Sequence, residues 1–415
     1  MQDIKMSKTK LPKDWQIKTL GEVCETTCGG TPSRGNASYY HGTIPWVKSG
    51  ELNKGVIYDT EEKITEEAIK NSSAKIFPKG TLLIALYGAT IGKLAFLGVD
   101  AATNQAVCGI YQNDSIDSKY IYNFLFHKKQ DLVKQGIGGA QPNISQTILK
   151  KLAIPLPPLE TQQAIVSKLE ELFSALDKGI EDLKTAQQQL KTYRQSVLKW
   201  AFEGKLTNEN VKEGELPKGW EIVDLKQVCE VKRGKSKHRP RNAPELYSGN
   251  YPFIQTGDIR NANGGYIKRH TQTYSEIGLA QSKLWTKGTL CITIAANIGE
   301  TAILDFDACF PDSVVGLLSK NEILFNKYLN YFFISFKQKL EELAPATAQK
   351  NINVDILEKV NIPLAPFEEQ HQIVQEIESR LSVADKMEES IAQSLQQAEA
   401  LRQSILKKAF SGELV

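Results

Sequence analysis

Arg194-Gln-Ser-Val-Leu-Lys-Trp-Ala-Phe-Glu-Gly-Lys-Leu206 returns as Arg402-Gln-Ser-Ile-Leu-Lys-Lys-Ala-Phe-Ser-Gly-Glu-Leu414, 208 residues further on. Three other blocks keep nearly that offset. Leu11-Pro-Lys-Asp-Trp15 matches Leu216-Pro-Lys-Gly-Trp220, Ile154-Pro-Leu-Pro-Pro-Leu-Glu-Thr-Gln162 matches Ile362-Pro-Leu-Ala-Pro-Phe-Glu-Glu-Gln370, and Gly80-Thr-Leu82 matches Gly288-Thr-Leu290. Solenoid units run to roughly 20–50 residues, so this period is a tandem copy of a whole domain with a helix attached.

Before each closing block lies a long stretch of helical periodicity. Between Glu160 and Ala201 the apolar residues Ile165, Leu169, Leu172, Leu176, Ile180, Leu183, Leu190, Tyr193 and Val197 fall at steps of mostly three and four, the spacing of one face of an amphipathic helix. Its twin runs from Glu368 to Ala409, and Gly204 and Gly412 stand as stop signals. A helix of about 40 residues is roughly 60 Å long, too long for its own domain to cover. The expected partner of its stripe is the other copy, as an antiparallel coiled coil with pseudo-two-fold symmetry. The alternative is that each helix folds back on its own domain.

The rest of each copy is β-rich. Ile44 to Val47, Thr81 to Leu86, Lys93 to Leu97 and Ala106 to Ile110 read as strands, repeated at Pro252 to Ile254, Thr289 to Ile294, Thr301 to Leu304 and Ser313 to Leu317. Helices close the two copies around Ser118 to Gln135 and Asn326 to Leu343. Ile154-Pro-Leu-Pro-Pro is expected to continue neither strand nor helix, since proline fixes φ and lacks an N–H. The fold class is therefore α+β: a duplicated mixed α/β domain, at 11–153 and 207–361, each followed by a linker and long helix, at 154–206 and 362–415.

Composition sets the functional bounds. The 415 residues are 41% hydrophobic and 24% charged with a net charge of +3, ordinary for a soluble globular protein. No apolar run approaches the roughly 20 residues that span a bilayer, and the polar opening of the chain points to a cytoplasmic protein without a signal peptide. The close pair Cys24 and Cys28 has no second pair beside it, and Cys28 aligns with Lys232 or Arg233. Ordinary packing residues are expected there, not metal ligands. Gly88-Ala-Thr-Ile-Gly92-Lys93 is one residue short of a phosphate-binding P-loop and is followed by Leu94; the second copy carries Glu300 in place of the lysine. No catalytic constellation is visible.

Polar loops suit nucleic acid better. Val231 to Arg241 carries Lys232, Arg233, Lys235, Lys237, Arg239 and Arg241 without an acidic residue, a composition that neutralises phosphates and donates to guanine edges. Its counterpart, Gly29 to Arg34, is far less basic. Lys48 and Ser49, and in the second copy Gln255 and Thr256, are types that read base edges, with Gly50 and Gly257 permitting a tight turn. The candidate DNA contacts are Arg34, Lys48, Ser49, Lys93, Lys232, Arg233, Lys235, Lys237, Arg239, Arg241, Gln255, Thr256 and Arg260. The bland readings are a solvated charged loop and a structural turn. For Gln141 with Asn143 and Gln349 with Asn351, identical in both copies, the structural reading is preferred.

This succession, a Leu-Pro-x-x-Trp opening, a divergent domain, an Ile-Pro-Leu-Pro-Pro boundary and a long helix ending Arg-Gln-Ser-Val-Leu, all given twice, resembles the specificity subunit of type I restriction-modification systems. The resemblance implies two target-recognition domains, each reading one half of a bipartite, asymmetric site in double-stranded DNA. It implies helices that set the spacing and dock two modification subunits, with restriction subunits joining. It also implies no catalysis and no cofactor on this chain, S-adenosylmethionine, ATP and magnesium belonging to the partners. Two other classes remain open: a protein-assembly scaffold built on the duplicated helices, and an enzyme with an unrecognised site.

Overall fold

The computed structural model describes residues 11–53, 55–136, 143–208, 210–212, 214–237, 240–295, 297–320, 323–344 and 351–415. The chain forms two compact units, one of residues 1–183 with 393–415 and one of residues 184–392.

In the first unit the buried apolar runs form the centre of a five-stranded sheet. β1 (Gln16–Thr19), β2 (Thr26–Cys28), β3 (Tyr40–Val47), β4 (Val56–Ile57), β5 (Lys63–Ile64), β6 (Ile76–Phe77), β7 (Leu82–Ala85), β8 (Leu94–Leu97), β9 (Ala101–Thr103), β10 (Val107–Ile110) and β11 (Ala153–Leu156) follow in order. The large sheet runs β2-β10-β7-β8-β4, a second runs β5-β3-β9-β6, and β1 pairs with β11. β7 and β10 are buried along their whole length, which is why the sequence shows them as continuous apolar stretches and not as alternation.

The second unit repeats this plan with β12 (Glu221–Asp224), β13 (Cys229–Arg233), β14 (Tyr247–Phe253), β15 (Tyr266–Ile267), β16 (Gln272–Tyr274), β17 (Leu290–Thr293), β18 (Thr301–Leu304), β19 (Val314–Ser319) and β20 (Asn361–Leu364). Its large sheet runs β13-β19-β17-β18-β15, β14 pairs with β16, and β12 with β20. Every ladder of this unit has its equivalent in the first, down to the parallel edge pairs β4 with β8 and β15 with β18. The duplication read from four sequence blocks is thus a duplication of topology.

Two expectations are corrected. Ile154-Pro-Leu is strand: Pro155 sits in β11 opposite Ile17, and Pro363 sits in β20 opposite Ile222. A proline is tolerated because each ribbon has only two strands, so an N–H that faces away from the partner is not missed. Cys28 is not an isolated packing residue. It lies directly opposite Cys108 across β2 and β10 and is joined to it as a disulfide, a partner 80 residues away that local spacing could not reveal. Burial pushes the thiols of Cys24 and Cys229 up to about 11 and about 12, leaving them poor nucleophiles.

The long helices span Leu159–Phe202 and Phe367–Ser411. In the first unit Ile165, Val166 and Leu169 of one helix share a core with Leu406, Ala409 and Phe410 of the other, packed around Tyr120 and Phe124. In the second unit Val197 and Ala201 share a core with Ile373, Val374 and Ile377 beside Trp220 and Tyr328. The opening turns of each helix therefore do rest on the domain that precedes them, together with the closing turns of the other helix.

The repeated motifs tie these parts together. Gln162, buried at the start of the first long helix, accepts from the Asp117 N–H at 3.0 Å and donates to the Pro157 carbonyl at 2.9 Å. Gln370 repeats this with the Phe325 N–H at 2.8 Å and the Ala365 carbonyl at 2.8 Å. Gly204 and Gly412 take φ of +75° and +77°, and a Cβ would stand 2.1 Å and 2.5 Å from Pro217 and Pro12. Only glycine ends the helix in that conformation while the Leu-Pro-x-x-Trp segment closes over it.

Candidate nucleic-acid interface

In the first unit the loop after β2 is fixed by the aromatic residues of β3. Trp46 donates its indole N–H to the Gly30 carbonyl at 3.1 Å, and the Tyr40 hydroxyl donates to the Pro32 carbonyl at 2.7 Å. This brings the Arg34 guanidinium 4.6 Å above the Tyr40 ring and 5.2 Å from that of Trp46. Arg34 donates to Glu62 at 2.7 Å, and the Lys48 ammonium lies 3.1 Å from Glu62 and 3.2 Å from Glu61. Hydrogen bonds from Arg34, then Lys48, hold the Glu62 carboxyl below its usual range, and the same bonds raise both cations. A groove of about 850 Å³ opens there, lined by Arg34, Tyr40, His41 and Asp59 to Lys63.

Two loops named from the sequence, at Arg34 and at Lys48, are thus brought together, and Glu62 is what joins them. Lys48 is also anchored by its backbone, whose N–H donates to Glu51 at 2.8 Å at the head of the short turn Ser49–Glu51. Ser49 is half-buried in that turn. Gly50 does not need to be glycine for the fold: its φ is not left-handed and a Cβ would meet nothing within 4 Å, as at Gly257 in the second unit.

Lys93 stands apart, in the tight connection between β7 and β8 where the P-loop-like segment makes a single 3-10 turn, Gly88–Thr90. Its neighbour is the lysine-bearing end of a helix, with a Cβ at Gly92 placed 2.8 Å from the Lys129 side chain. The second unit carries Glu300 at the equivalent position, 2.5 Å from Lys337. An internal ion pair in one copy is two cations in the other.

In the second unit the basic loop is strapped down at several points. Arg233 donates to the Asp312 carbonyl, Arg241 pairs with the Asp312 carboxylate at 2.7 Å, and the Tyr247 hydroxyl donates to the Arg241 carbonyl at 2.6 Å. The Lys237 N–H donates to Gln281 at 2.6 Å and Ser282 donates to the Lys235 carbonyl at 2.9 Å, while the side chains of Lys235 and Lys237 are exposed. Lys232 pairs with Glu230. Lys283, which sequence reading missed, lies 3.9 Å over the Trp285 ring. Its burial, then repulsion from Lys232, lowers its pKa. Arg239 lies outside the described residues.

The second polar turn differs from expectation: Thr256 opens a true helix, Thr256–Ala262, with Arg260 exposed on it. Gln255 precedes that helix, its N–H donating to Asp258 at 2.8 Å, and its side-chain amide donates to Gln272 at 2.6 Å. In the loops before the boundary, the backbone at Asn143 and at Asn351 forms β-bridges to Tyr87 and Ala295; Gln141 and Gln349 lie outside the described residues. Glu62, Gln272, Asp312 and Lys283 were invisible to sequence reading because each is brought in by strand pairing or by a turn distant along the chain.

Residues 12–185 and 217–397 match the family model described as the type I restriction modification DNA specificity domain. The chain belongs to that family. Both matches begin at a Leu-Pro-x-x-Trp segment and end within a long helix, so each copy is one type I specificity domain. The chain is 35% identical over 292 residues to the type I restriction enzyme MjaIX specificity subunit of Methanocaldococcus jannaschii, across 66% of this chain and 64% of that protein. It is 25% identical to the putative MjaX specificity subunit of the same organism, across 98% of this chain and 95% of that one. A solved chain from the complex assembly and conformational transition of the type I R-M system shares the fold, with a TM-score of 0.77 at 22% identity, covering 97% of this chain and 99% of that one. Among the described residues no group of His, Cys, Asp and Glu could hold a metal ion, and no helix is long and apolar enough to cross a membrane.

Proposed function

We propose that this chain is the DNA-sequence specificity subunit of a type I restriction-modification complex, each globular domain reading one half of a bipartite, asymmetric site in double-stranded DNA. The observation that carries this reading is the family match to both copies, joined to the divergence of their polar positions on a shared skeleton. Copies that read the same sequence would keep the same polar side chains. These keep the strands and change Lys48 to Gln255 and the loop from Gly29 to Arg34 into Lys232 to Arg241.

The long helices serve as spacer and docking surface for two modification subunits, with restriction subunits completing the complex. Segments nearly identical in both copies suit two copies of one partner. No reaction is assigned to this chain: S-adenosylmethionine, ATP and magnesium would be held by the partners, and a cytoplasmic location follows from a DNA target. DNA contacts are assigned to the exposed cations Arg34, Lys235, Lys237, Arg241 and Arg260, to Lys48, Ser49, Lys93, Lys232, Arg233 and Arg239, and to Gln255 and Thr256. The scaffold alternative is not favoured by relatives that are themselves specificity subunits.

Two half-sites read from one face of B-DNA lie about one helical turn, roughly 34 Å, apart. Inserting about four residues at matched positions in both helices adds roughly 6 Å, so the unspecified gap should lengthen by roughly one or two base pairs with both half-sites unchanged. An unchanged gap in methylation maps would overturn the spacer role.

A further inference from the structure

We infer that one equivalent position sets a different base preference in each domain: Lys48, held with Arg34 on Glu62, presents donors to a guanine edge, whereas Gln255 with Gln272 presents an acceptor beside a donor to an adenine edge. This rests on the DNA-specificity reading above.

Strand register establishes the equivalence. Pro45 pairs with Lys63 in β3 and β5, and Pro252 with Thr273 in β14 and β16. Glu62 and Gln272 are therefore the same rung, one residue before those partners, and Lys48 and Gln255 each lie three residues after the paired proline. The backbone is held alike in both: a carboxylate three residues on, Glu51 or Asp258, accepts the N–H at 2.8 Å. A single 3-10 turn follows Lys48 and a helix follows Gln255, and the side-chain chemistry at the shared position has changed.

The leftover hydrogen-bonding capacity then differs. Glu62 takes one bond from Arg34 at 2.7 Å and one from Lys48 at 3.1 Å, so its oxygens are engaged while the cations keep further N–H donors. The major-groove edge of guanine offers two acceptors, N7 and O6. In the second domain the amide of Gln255 donates to Gln272 at 2.6 Å. That bond leaves the Gln255 carbonyl as acceptor and the Gln272 amide as donor. Adenine offers N6 as donor and N7 as acceptor, the complementary pattern. Both glutamines are exposed, and Gly50 and Gly257, two residues further on, leave open space for a duplex to approach.

The test uses the full chain assembled with its modification subunits, mapping methylation on random-sequence duplex for the wild type, K48Q/E62Q and Q255K/Q272E. In K48Q/E62Q one position of the first half-site should shift from guanine toward adenine, by roughly 5- to 150-fold in relative preference, with the second half-site unchanged; Q255K/Q272E should do the reverse in the second. Should a double variant fail to assemble, K48Q and Q255K alone, which change the base-facing group and keep Glu62 and Gln272, should weaken the guanine and the adenine preference at the same positions. Unchanged preferences, or uniform weakening at every position, would overturn the assignment. A wild-type complex without any bipartite motif would instead sink the specificity reading on which it stands.

Discussion

Arg194 lies 2.6 Å from Asp385, and also 2.9 Å from Glu388. The same pair recurs in the first unit, where Arg402 meets Asp177 and lies 4.9 Å over the Phe173 ring; each residue there is the 208-residue counterpart of one in the second unit. Within each unit the two helix segments therefore run antiparallel in one register. The acidic partners are mostly exposed, so R194A should cost no more than about 1 kcal/mol. R402A should cost roughly 0.5–1 kcal/mol more, because it also loses the aromatic face. Urea unfolding checks both, and R402D should be rescued by D177R.

Gln370 is fully buried and meets the Phe325 N–H and the Ile323 and Ala365 carbonyls. Gln370→Leu fills the space but strands three polar groups, so it should destabilise the second unit by about 1–3 kcal/mol or more. A melting temperature equal to that of the wild type would show that water replaces the amide.

Acid should act on the two proposed recognition positions unequally. Glu62 has a carboxyl depressed by Arg34 and Lys48, so its contribution is present above the unfolded carboxylate pKa and is lost as pH falls through the lower folded value. The Gln255–Gln272 pair does not titrate. NMR should place the Glu62 midpoint below 4.5, and R34A should bring it back up; a midpoint at or above 4.5 would remove the ion pair from the account.

Lys93 and Lys129 occupy the place of the Glu300–Lys337 ion pair. Two cations where the other copy has an ion pair suit a DNA phosphate, so K93A/K129A in the assembled complex should reduce the salt dependence of binding by about one to two phosphate equivalents. Base preference should stay as it was. Breaking the second pair with K337A should leave that slope nearly unchanged.

Long elements were legible because periodicity repeats a signal many times. The helices at Leu159–Phe202 and Phe367–Ser411 were placed within two residues of their ends, and β18 matched its expected span. Pro155 misled because the rule against proline in strands assumes partners on both sides, whereas β11 has one. Of the proposed recognition site, the cations and Gln255 could be named from composition. Their partners could not: Glu62 lies 28 residues from Arg34, Gln272 lies 17 from Gln255, and Asp312 lies 71 from Arg241. Which charges are neutralised is decided by strand pairing, and that sets which donors and acceptors each loop leaves free.

Mapping methylated adenines in DNA exposed to the assembled complex tests the central claim most directly. Two short, unequal sequences should emerge, separated by a gap of fixed length and unspecified bases. A single contiguous sequence, two identical half-sites, or methylation without sequence preference would contradict it.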